Sequence, residues 1–181
     1  PEQRPNWGWI QGFLREWQFS GKLRDESRPL RILNLFAYTG ASTLAAATGW
    51  RGGGDMPDDA ESPMVEVVHL DAAKPNVEAA KRAAAVNRLV GLAAKVKPEG
   101  VSSVSVSDAA LAAAAADHRP PVSIRFIVDD ARKFVSREIR RKRSYDLIIL
   151  DPPAYGHGKK GTVWRLERDL WTLLSDCLKL L

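Results

Sequence analysis

The chain has 181 residues, enough for one domain with a single buried core. With 45% hydrophobic residues, 27% charged residues and a net charge of +5, its composition is that of a globular protein and excludes a largely disordered chain. No apolar run approaches the roughly 18–20 residues that cross a bilayer, and no signal-peptide pattern begins the sequence, so we expect no membrane partner.

Strands and helices are predicted to alternate after an N-terminal amphipathic helix. Apolar residues at helical spacing, from Trp7 to Trp17, predict that helix over 7–18, with one aromatic face. Strands are predicted at 30–36, 65–70, 124–128 and 145–150. Helices are predicted to follow them at 41–48, 74–90, 132–142 and 163–181. Four strand–helix units with near-continuous apolar strands predict the α/β class: a Rossmann-like, doubly wound parallel sheet with helices on both faces.

Two segments interrupt this alternation. Residues 49–63 are rich in Gly, Pro and Asp and predict a surface loop or insertion. Residues 94–121 are of low complexity and predict a second insertion, with a short helix at 108–116. We expect one domain over 1–181 whose sheet is truncated after the fourth unit: a fragment, or a half-sheet completed by a partner, with an open edge strand. The oligomeric state is left open.

Polar or acidic residues follow all four predicted strands. In chain order they are the segment Asn34–Gly40, Asp71, the pair Asp129 and Asp130, and Asp151. The carboxyl ends of parallel strands meet at one edge of a sheet, which is where such sheets bind ligands. A single acid there is often only a helix cap or the start of a loop. Four in register favour a binding site.

The turn after the first strand narrows the choice of ligand class. Its one glycine, Gly40, does not make the G-x-G-x-x-G pattern that lets backbone approach a pyrophosphate. S-adenosylmethionine (SAM), an adenosine with a zwitterionic amino-acid tail, fits this turn better than a dinucleotide. Asp71 is placed to accept hydrogen bonds from both ribose hydroxyls. Asp130 is placed to accept from the adenine amino group, while the Ala131 N–H donates to the ring.

Four motifs carry a family resemblance: NLFAYTG (34–40), HLDAA (69–73), IVDDARKF (127–134) and LDPPAYGHGKKG (150–161). Together they resemble class I SAM-dependent methyltransferases, in particular the branch with the large-subunit rRNA cytosine-5 methyltransferases. The resemblance covers residues 1–48, 65–90 and 122–181. It implies S-adenosyl-L-methionine as cofactor, with the methionine end at the first motif. The predicted cofactor-binding residues are Asn34, Phe36, Ala37, Tyr38, Thr39, Gly40, Asp71, Ala72, Asp130 and Ala131.

The resemblance places Asp151, Pro152 and Pro153 beside the methyl-transfer centre, as the predicted catalytic residues. Two prolines stiffen the backbone and remove two N–H donors, which we expect to leave carbonyls free to point at a substrate, so that catalysis comes mainly from positioning. The family often has Asp where Asn34 stands, and the amide lacks a charge near the sulfonium. Tyr155 is either an exposed loop residue or a stacking partner for a flipped base.

The single cysteine bears on both chemistry and location. Methylation at C5 of a pyrimidine usually needs a thiolate nucleophile, yet Cys177 shares the apolar stripe of the last helix and is predicted to be buried core. Either the nucleophile lies elsewhere or this reaction is not performed. His69, His118 and His157 lie in different elements and predict no metal site. One cysteine favours an intracellular location: the cytoplasm, or an organelle such as the mitochondrion if a targeting peptide was removed.

Positive charge is concentrated between Arg132 and Arg143, where seven basic residues face one acid, Glu138. With Lys159 and Lys160 beside the predicted methyl site, this cluster predicts RNA, and ribosomal RNA in particular, as the partner. The alternative to an RNA-binding surface is an ordinary solvent-exposed helix face. Two other functions stay open: a small-molecule or protein methyltransferase on the same fold, and a degenerate methyltransferase-fold factor that binds RNA or assists ribosome assembly.

Overall fold

The computed structural model describes residues 4–19, 29–51, 65–87, 122–157 and 163–181. Its helices are α1 (Arg4–Phe19), α2 (Ala41–Arg51), α3 (Lys74–Val86), α4 (Ala131–Arg140) and α5 (Leu166–Leu178). Its strands are β1 (Leu30–Leu35), β2 (Val65–Asp71), β3 (Val122–Val128), β4 (Leu147–Leu150), β5 (Tyr155–His157) and β6 (Val163–Arg165). None of the described helices is long and apolar enough to cross a membrane.

Strands β1 to β4 form one parallel sheet in the order β3-β2-β1-β4. Near the middle of the sheet, Asn34 of β1 lies opposite His69 of β2 on one side and Ile149 of β4 on the other. Because every neighbour is parallel, the carboxyl ends of all four strands lie at one edge. The predicted Rossmann-like parallel sheet is confirmed, and each strand begins and ends within two residues of its predicted bounds.

Helices cover both faces of the sheet and bury a separate apolar cluster on each. On one face, α1 contributes Ile10 and Leu14 to a core with Leu30 and Ile32 of β1. On the other face, Leu33 and Leu35 of β1 belong to the cluster that α4 and α5 cover. Adjacent residues of β1 therefore point to opposite buried faces, which is why the strand reads as a continuous apolar run.

The contact between α1 and α2 depends on Gly49. A Cβ built there would lie 2.8 Å from the Cα of Gln11, so the two helices approach more closely than any larger residue allows. At the same contact, the Gln11 amide donates to Oγ of Thr48, the residue before Gly49, across 2.9 Å. Helix α1 is thereby fixed against α2.

Several predicted boundaries were wrong. Helix α2 continues to Arg51, so residues 49–51 are helical and not part of a loop. The last helix begins at Leu166 because 163–165 form β6, which pairs with β5 in an antiparallel hairpin that the sequence did not predict. Three-residue strands are too short for an alternating pattern to show. The remaining predictions for 52–63 and 94–121, and the positions of Lys159 and Lys160, lie outside the described residues.

Candidate cofactor and active site

The turn after β1 has an unusual backbone. Phe36 (φ 55°), Tyr38 (φ 47°) and Gly40 (φ 94°) all have positive φ, which residues with a side chain rarely adopt. The turn is held to the end of β2, since the Ala37 N–H donates to the Leu70 carbonyl and the Tyr38 N–H to Oδ2 of Asp71, each across 3.0 Å. Strained backbone that neighbouring contacts enforce is typical of binding sites.

Gly40 brings this turn against α3. A Cβ at Gly40 would lie 2.8 Å from Cβ of Ala80 and 3.3 Å from its Cα. Together with the positive φ, this leaves glycine as the one residue that fits without a shift. The single glycine of the first motif therefore serves helix–turn packing.

Asp71 organises the pocket from the end of β2. Its Oδ2 accepts from the Tyr38 N–H, and its Oδ1 accepts from the Ala73 N–H at 2.8 Å and from the Asn76 amide at 3.1 Å. An ionised carboxylate offers about four lone-pair sites. Three of them are used within the protein, so Asp71 retains limited acceptor capacity toward a ligand.

The acids after β3 are also hydrogen-bonded inside the protein. Asp130 caps α4, accepting from the Lys133 N–H at 3.2 Å and from the Arg132 guanidinium at 3.3 Å. Asp129 accepts from the Asp130 N–H at 2.8 Å and pairs with Arg137. Asp130 therefore caps a helix, and it also lines the cavity described below.

The Asp151-Pro152-Pro153 turn is held by Trp164, a residue that the sequence reasoning missed. The Trp164 indole N–H donates to the Pro153 carbonyl across 2.7 Å. That carbonyl is therefore engaged, contrary to the expectation that the proline carbonyls are free. The buried Trp164 ring lies 4.8 Å from the Phe36 ring, centroid to centroid, and Arg132 lies 5.9 Å from its centroid.

These elements surround a cavity of about 430 Å³ at the carboxyl edge of the sheet, here called the acidic cavity. It has the volume of a small-molecule site. Most of the predicted site residues line it: Phe36, Tyr38, Asp71, Ala72, Asp130, Ala131, Asp151, Pro152 and Pro153. Residues not predicted as cofactor or catalytic residues also line it: Asn76, Asp129, Arg132, His157 and Trp164 among them.

Charge in the acidic cavity favours a cationic ligand. Four carboxylates and one guanidinium line it, and Arg132 is already paired with Asp130 at 3.3 Å and with Asp169 at 3.2 Å. A hydrogen bond from Arg168 is the main reason that the pKa of Asp169 is lowered from its ordinary value, so this acid stays ionised. A surplus of negative charge attracts a sulfonium and opposes a pyrophosphate.

A second cavity of about 590 Å³ adjoins the first and is here called the aromatic cavity. Phe36, Tyr38 and Asp151 line both cavities. The predicted residues Ala37, Thr39 and Gly40 line the aromatic cavity alone, together with α1 residues and β4. The site is therefore a pair of adjoining cavities that share residues of the turn after β1.

Asn34 lies beneath the turn and lines neither cavity. Its side chain is 1% exposed, and its amide donates to Ser42 Oγ at 2.9 Å and to Thr43 Oγ at 2.8 Å. Thr43 Oγ is in turn 2.9 Å from Nδ1 of His69. Burial lowers the pKa of His69 to about 4, so the network is neutral near pH 7. The structure gives Asn34 the role of fixing the start of α2.

Cys177 is buried with Leu173 and Leu180, as predicted. Burial raises the pKa of its thiol to about 11, so the thiol form dominates at neutral pH. Within the described ranges, no group of three His, Cys, Asp or Glu residues could hold a metal ion.

The basic residues between Arg132 and Arg143 fall into two groups, those with an ion pair and those without one among the described residues. Ion pairs occupy Arg132, Arg137 and Arg141, the last with the buried Glu138 at 3.1 Å. The described residues show no ion pair for the exposed Lys133, Arg140, Lys142 and Arg143. The last three lie at the C-terminal end of α4, about 15 Å along its axis from Asp130. They are therefore near the opposite edge of the sheet from the acidic cavity.

Comparisons with known proteins agree with this architecture. No family model matches the chain. The ribosomal RNA large subunit methyltransferase K/L of Hahella chejuensis is 28% identical over 99% of the chain, which spans 17% of that protein. The solved SAM-dependent methyltransferase from Agrobacterium tumefaciens is 30% identical with a TM-score of 0.61, over the whole of this chain and 41% of that one. This chain has the class I methyltransferase fold.

A further solved structure, that of SMU.776 in complex with S-adenosylhomocysteine (SAH), is similar in fold. It is 20% identical with a TM-score of 0.56, over 98% of this chain and 32% of its own. The resemblance inferred from the four motifs is thus confirmed. The chain spans less than half the length of each of these relatives.

Proposed function

We propose that this chain is the cofactor-binding part of a SAM-dependent methyltransferase that acts on RNA, with ribosomal RNA as its substrate class. The observation that carries the proposal is the acidic cavity. Asp71 ends β2, Asp129 and Asp130 follow β3, and Asp151 follows β4, so four carboxylates meet at one edge of the sheet. That set of negatively charged acceptors suits a nucleoside that bears a positive charge and no phosphate.

The residues present fit SAM. Asp71 retains acceptor capacity for the ribose hydroxyls, and the Asn76 amide beside it lines the same cavity. Asp130 and Ala131 at the start of α4 are placed for the adenine edge. The turn from Phe36 to Gly40, which borders both cavities, is left for the methionine end. When bound, SAM supplies an electrophilic methyl group on its sulfonium.

Asp151 is the residue best placed to orient a substrate, because it is exposed and borders both cavities. Trp164 holds the turn that follows it. With Cys177 in its thiol form, these groups act by positioning a nucleophilic substrate atom and accepting its hydrogen bonds.

RNA is supported by two observations. The exposed Arg140, Lys142 and Arg143 form a basic surface without ion pairs among the described residues, which suits phosphate contacts. The K/L relative is a ribosomal RNA methyltransferase by name. The intracellular location and the absence of a membrane partner stay predictions.

The test is mass spectrometry of ribosomal RNA nucleosides from cells with and without the protein, paired with calorimetry of the purified chain with SAM. We expect SAM binding and the loss of one methylated nucleoside. SAM binding without any nucleoside change, but with loss of a protein or small-molecule methylation, would move the substrate to that class. No SAM binding would favour the degenerate RNA-binding factor.

A further inference from the structure

We propose that the aromatic cavity is a nucleobase subsite, in which Trp9 of α1 and Tyr38 hold one unpaired base of an RNA beside Asp151. This deepens the proposed function and rests on it for RNA as the substrate. The cavity has about 590 Å³, room for a base and part of its sugar, and it adjoins the acidic cavity, with which it shares the lining residues Phe36, Tyr38 and Asp151. A base held there lies next to the residue that borders both spaces.

Two large aromatic side chains stand exposed at this cavity. Trp9 and Tyr38 are each 64% exposed, although both line it. Every nucleobase has a π-face, so exposed aromatic rings bind unpaired bases by stacking without needing a particular sequence. Two exposed aromatic side chains that line one cavity therefore suit a flat heteroaromatic ligand.

Trp9 is supported from behind. Its ring stacks on Phe13 with centroids 5.4 Å apart and planes 18° apart, and Phe13 lies 5.9 Å from Trp17. The three residues are spaced four apart along α1, so they lie on one side of the helix. The adjoining side of α1, about 100° around the helix from Phe13, anchors it to the core through the buried Leu14. The exposed indole is thus part of a fixed platform.

Tyr38 links the base to the cofactor. Its backbone N–H is held by Asp71, the proposed ribose ligand, and its φ of 47° directs the chain through the turn between the two cavities. A ligand that contacts Asp71 and a base that contacts Tyr38 therefore meet at one rigid segment. Two hydroxyl side chains on the walls, Thr39 and Ser42, are hydrogen-bonding groups for the edges of a base, although Ser42 Oγ already accepts from the Asn34 amide.

The experiment measures binding of a fluorescein-labelled single-stranded RNA octamer to the full 181-residue chain in the presence of SAH. A second octamer carries abasic sites at its central positions. The variants are Trp9→Ala, Trp9→Phe and the matched control Trp171→Ala, which removes an indole that is 75% exposed on α5 and lines neither cavity.

We expect Trp9→Ala to weaken binding of the normal octamer about tenfold, the size of a lost stacking contact. Trp9→Phe restores most of that loss, Trp171→Ala leaves binding unchanged, and the abasic octamer is insensitive to Trp9. Equal effects of Trp9→Ala and Trp171→Ala, or an equal loss for the abasic octamer, would overturn the subsite. SAH affinity by calorimetry reports separately on the proposed function: if wild type binds RNA but not SAH, the cofactor proposal fails, and the comparison of the Trp9 variants with Trp171→Ala still decides the base subsite.

Discussion

Oδ2 of Asp71 accepts a hydrogen bond from the backbone N–H of Tyr38 across 3.0 Å, and this contact joins the end of β2 to the turn after β1. Asp71 also holds Ala73 and Asn76 at the start of α3 through Oδ1. One carboxylate therefore joins the turn after β1 to the start of α3, and it also lines the acidic cavity. The residue proposed to bind the ribose is thus also a structural contact.

Asp71→Ala should weaken SAM binding at least tenfold, because a hydrogen bond to a charged group is worth about 1.5–3 kcal/mol. Calorimetry with SAM measures the loss. Asp176→Ala is the control, since Asp176 pairs only with Lys179 among the contacts described for it and lies on α5. If Asp71→Ala binds SAM as tightly as Asp176→Ala does, Asp71 is not part of the cofactor site.

Trp164→Phe tests the tie between the hairpin and the Asp151-Pro152-Pro153 turn. The change keeps a ring near Phe36 and removes the N–H that reaches the Pro153 carbonyl. We expect SAM affinity within about twofold, a stability loss of about 0.5–1.5 kcal/mol, and slower single-turnover methyl transfer to RNA. A transfer rate equal to that of wild type would show that this hydrogen bond does not position the turn.

Gly40→Ala and Gly12→Ala should change stability in opposite directions. At Gly40 the new Cβ meets Ala80 at 2.8 Å and φ is 94°, so we expect a loss of about 1–3 kcal/mol. At Gly12, inside α1, nothing lies within 4 Å of the new Cβ, and higher helix propensity should add about 0.5–1 kcal/mol. Urea unfolding of both variants measures the difference. A Gly40→Ala variant as stable as wild type would contradict the packing of the turn on α3, whatever Gly12→Ala does.

Stability should fall between pH 6.5 and pH 4 because of His69, whose pKa is lowered by burial from 6.5 to about 4. Above pH 6.5 the imidazole is neutral in both states. Below pH 6.5 the unfolded chain binds a proton at His69 that the folded chain does not bind until about pH 4. This lowers the free energy of unfolding by on the order of 3 kcal/mol at pH 4. Urea unfolding of wild type and His69→Asn across this range should show a shallower decline for the variant. Parallel curves would exclude His69 as the cause.

Replacing Arg140, Lys142 and Arg143 with Gln should weaken RNA binding and lower its salt dependence, by up to about 0.7 per phosphate contact on single strands. SAM affinity should stay unchanged, because these residues lie at the other end of α4 from Asp130. Lys81→Gln with Arg82→Gln on α3 is the control for loss of charge alone. A full salt slope in the triple variant would leave this end of α4 as a solvated surface.

Much of the architecture could be predicted from the sequence, because buried parallel strands are apolar runs that end abruptly at polar residues. The four strands of the parallel sheet, their order along the chain and the meeting of Asp71, Asp130 and Asp151 at one edge follow from that pattern. The burial of Cys177 followed from its place in an apolar helical stripe. These features depend on residues close together in the chain.

The direction of individual side chains and the contacts between distant segments were decided by the tertiary structure alone. From the sequence, Asn34 was predicted to be a site residue. In a strand buried on both faces, however, the polarity of a side chain does not show which face it lies on. The Asn34 side chain points beneath the turn, toward Ser42 and Thr43. Trp164 reaches the acidic cavity through a hairpin of three-residue strands. Trp9 reaches the aromatic cavity because α1 packs against α2, a contact made across 30 or more residues of chain. Local patterns specify elements and the edge where ligands bind, whereas packing between elements decides which side chains meet there.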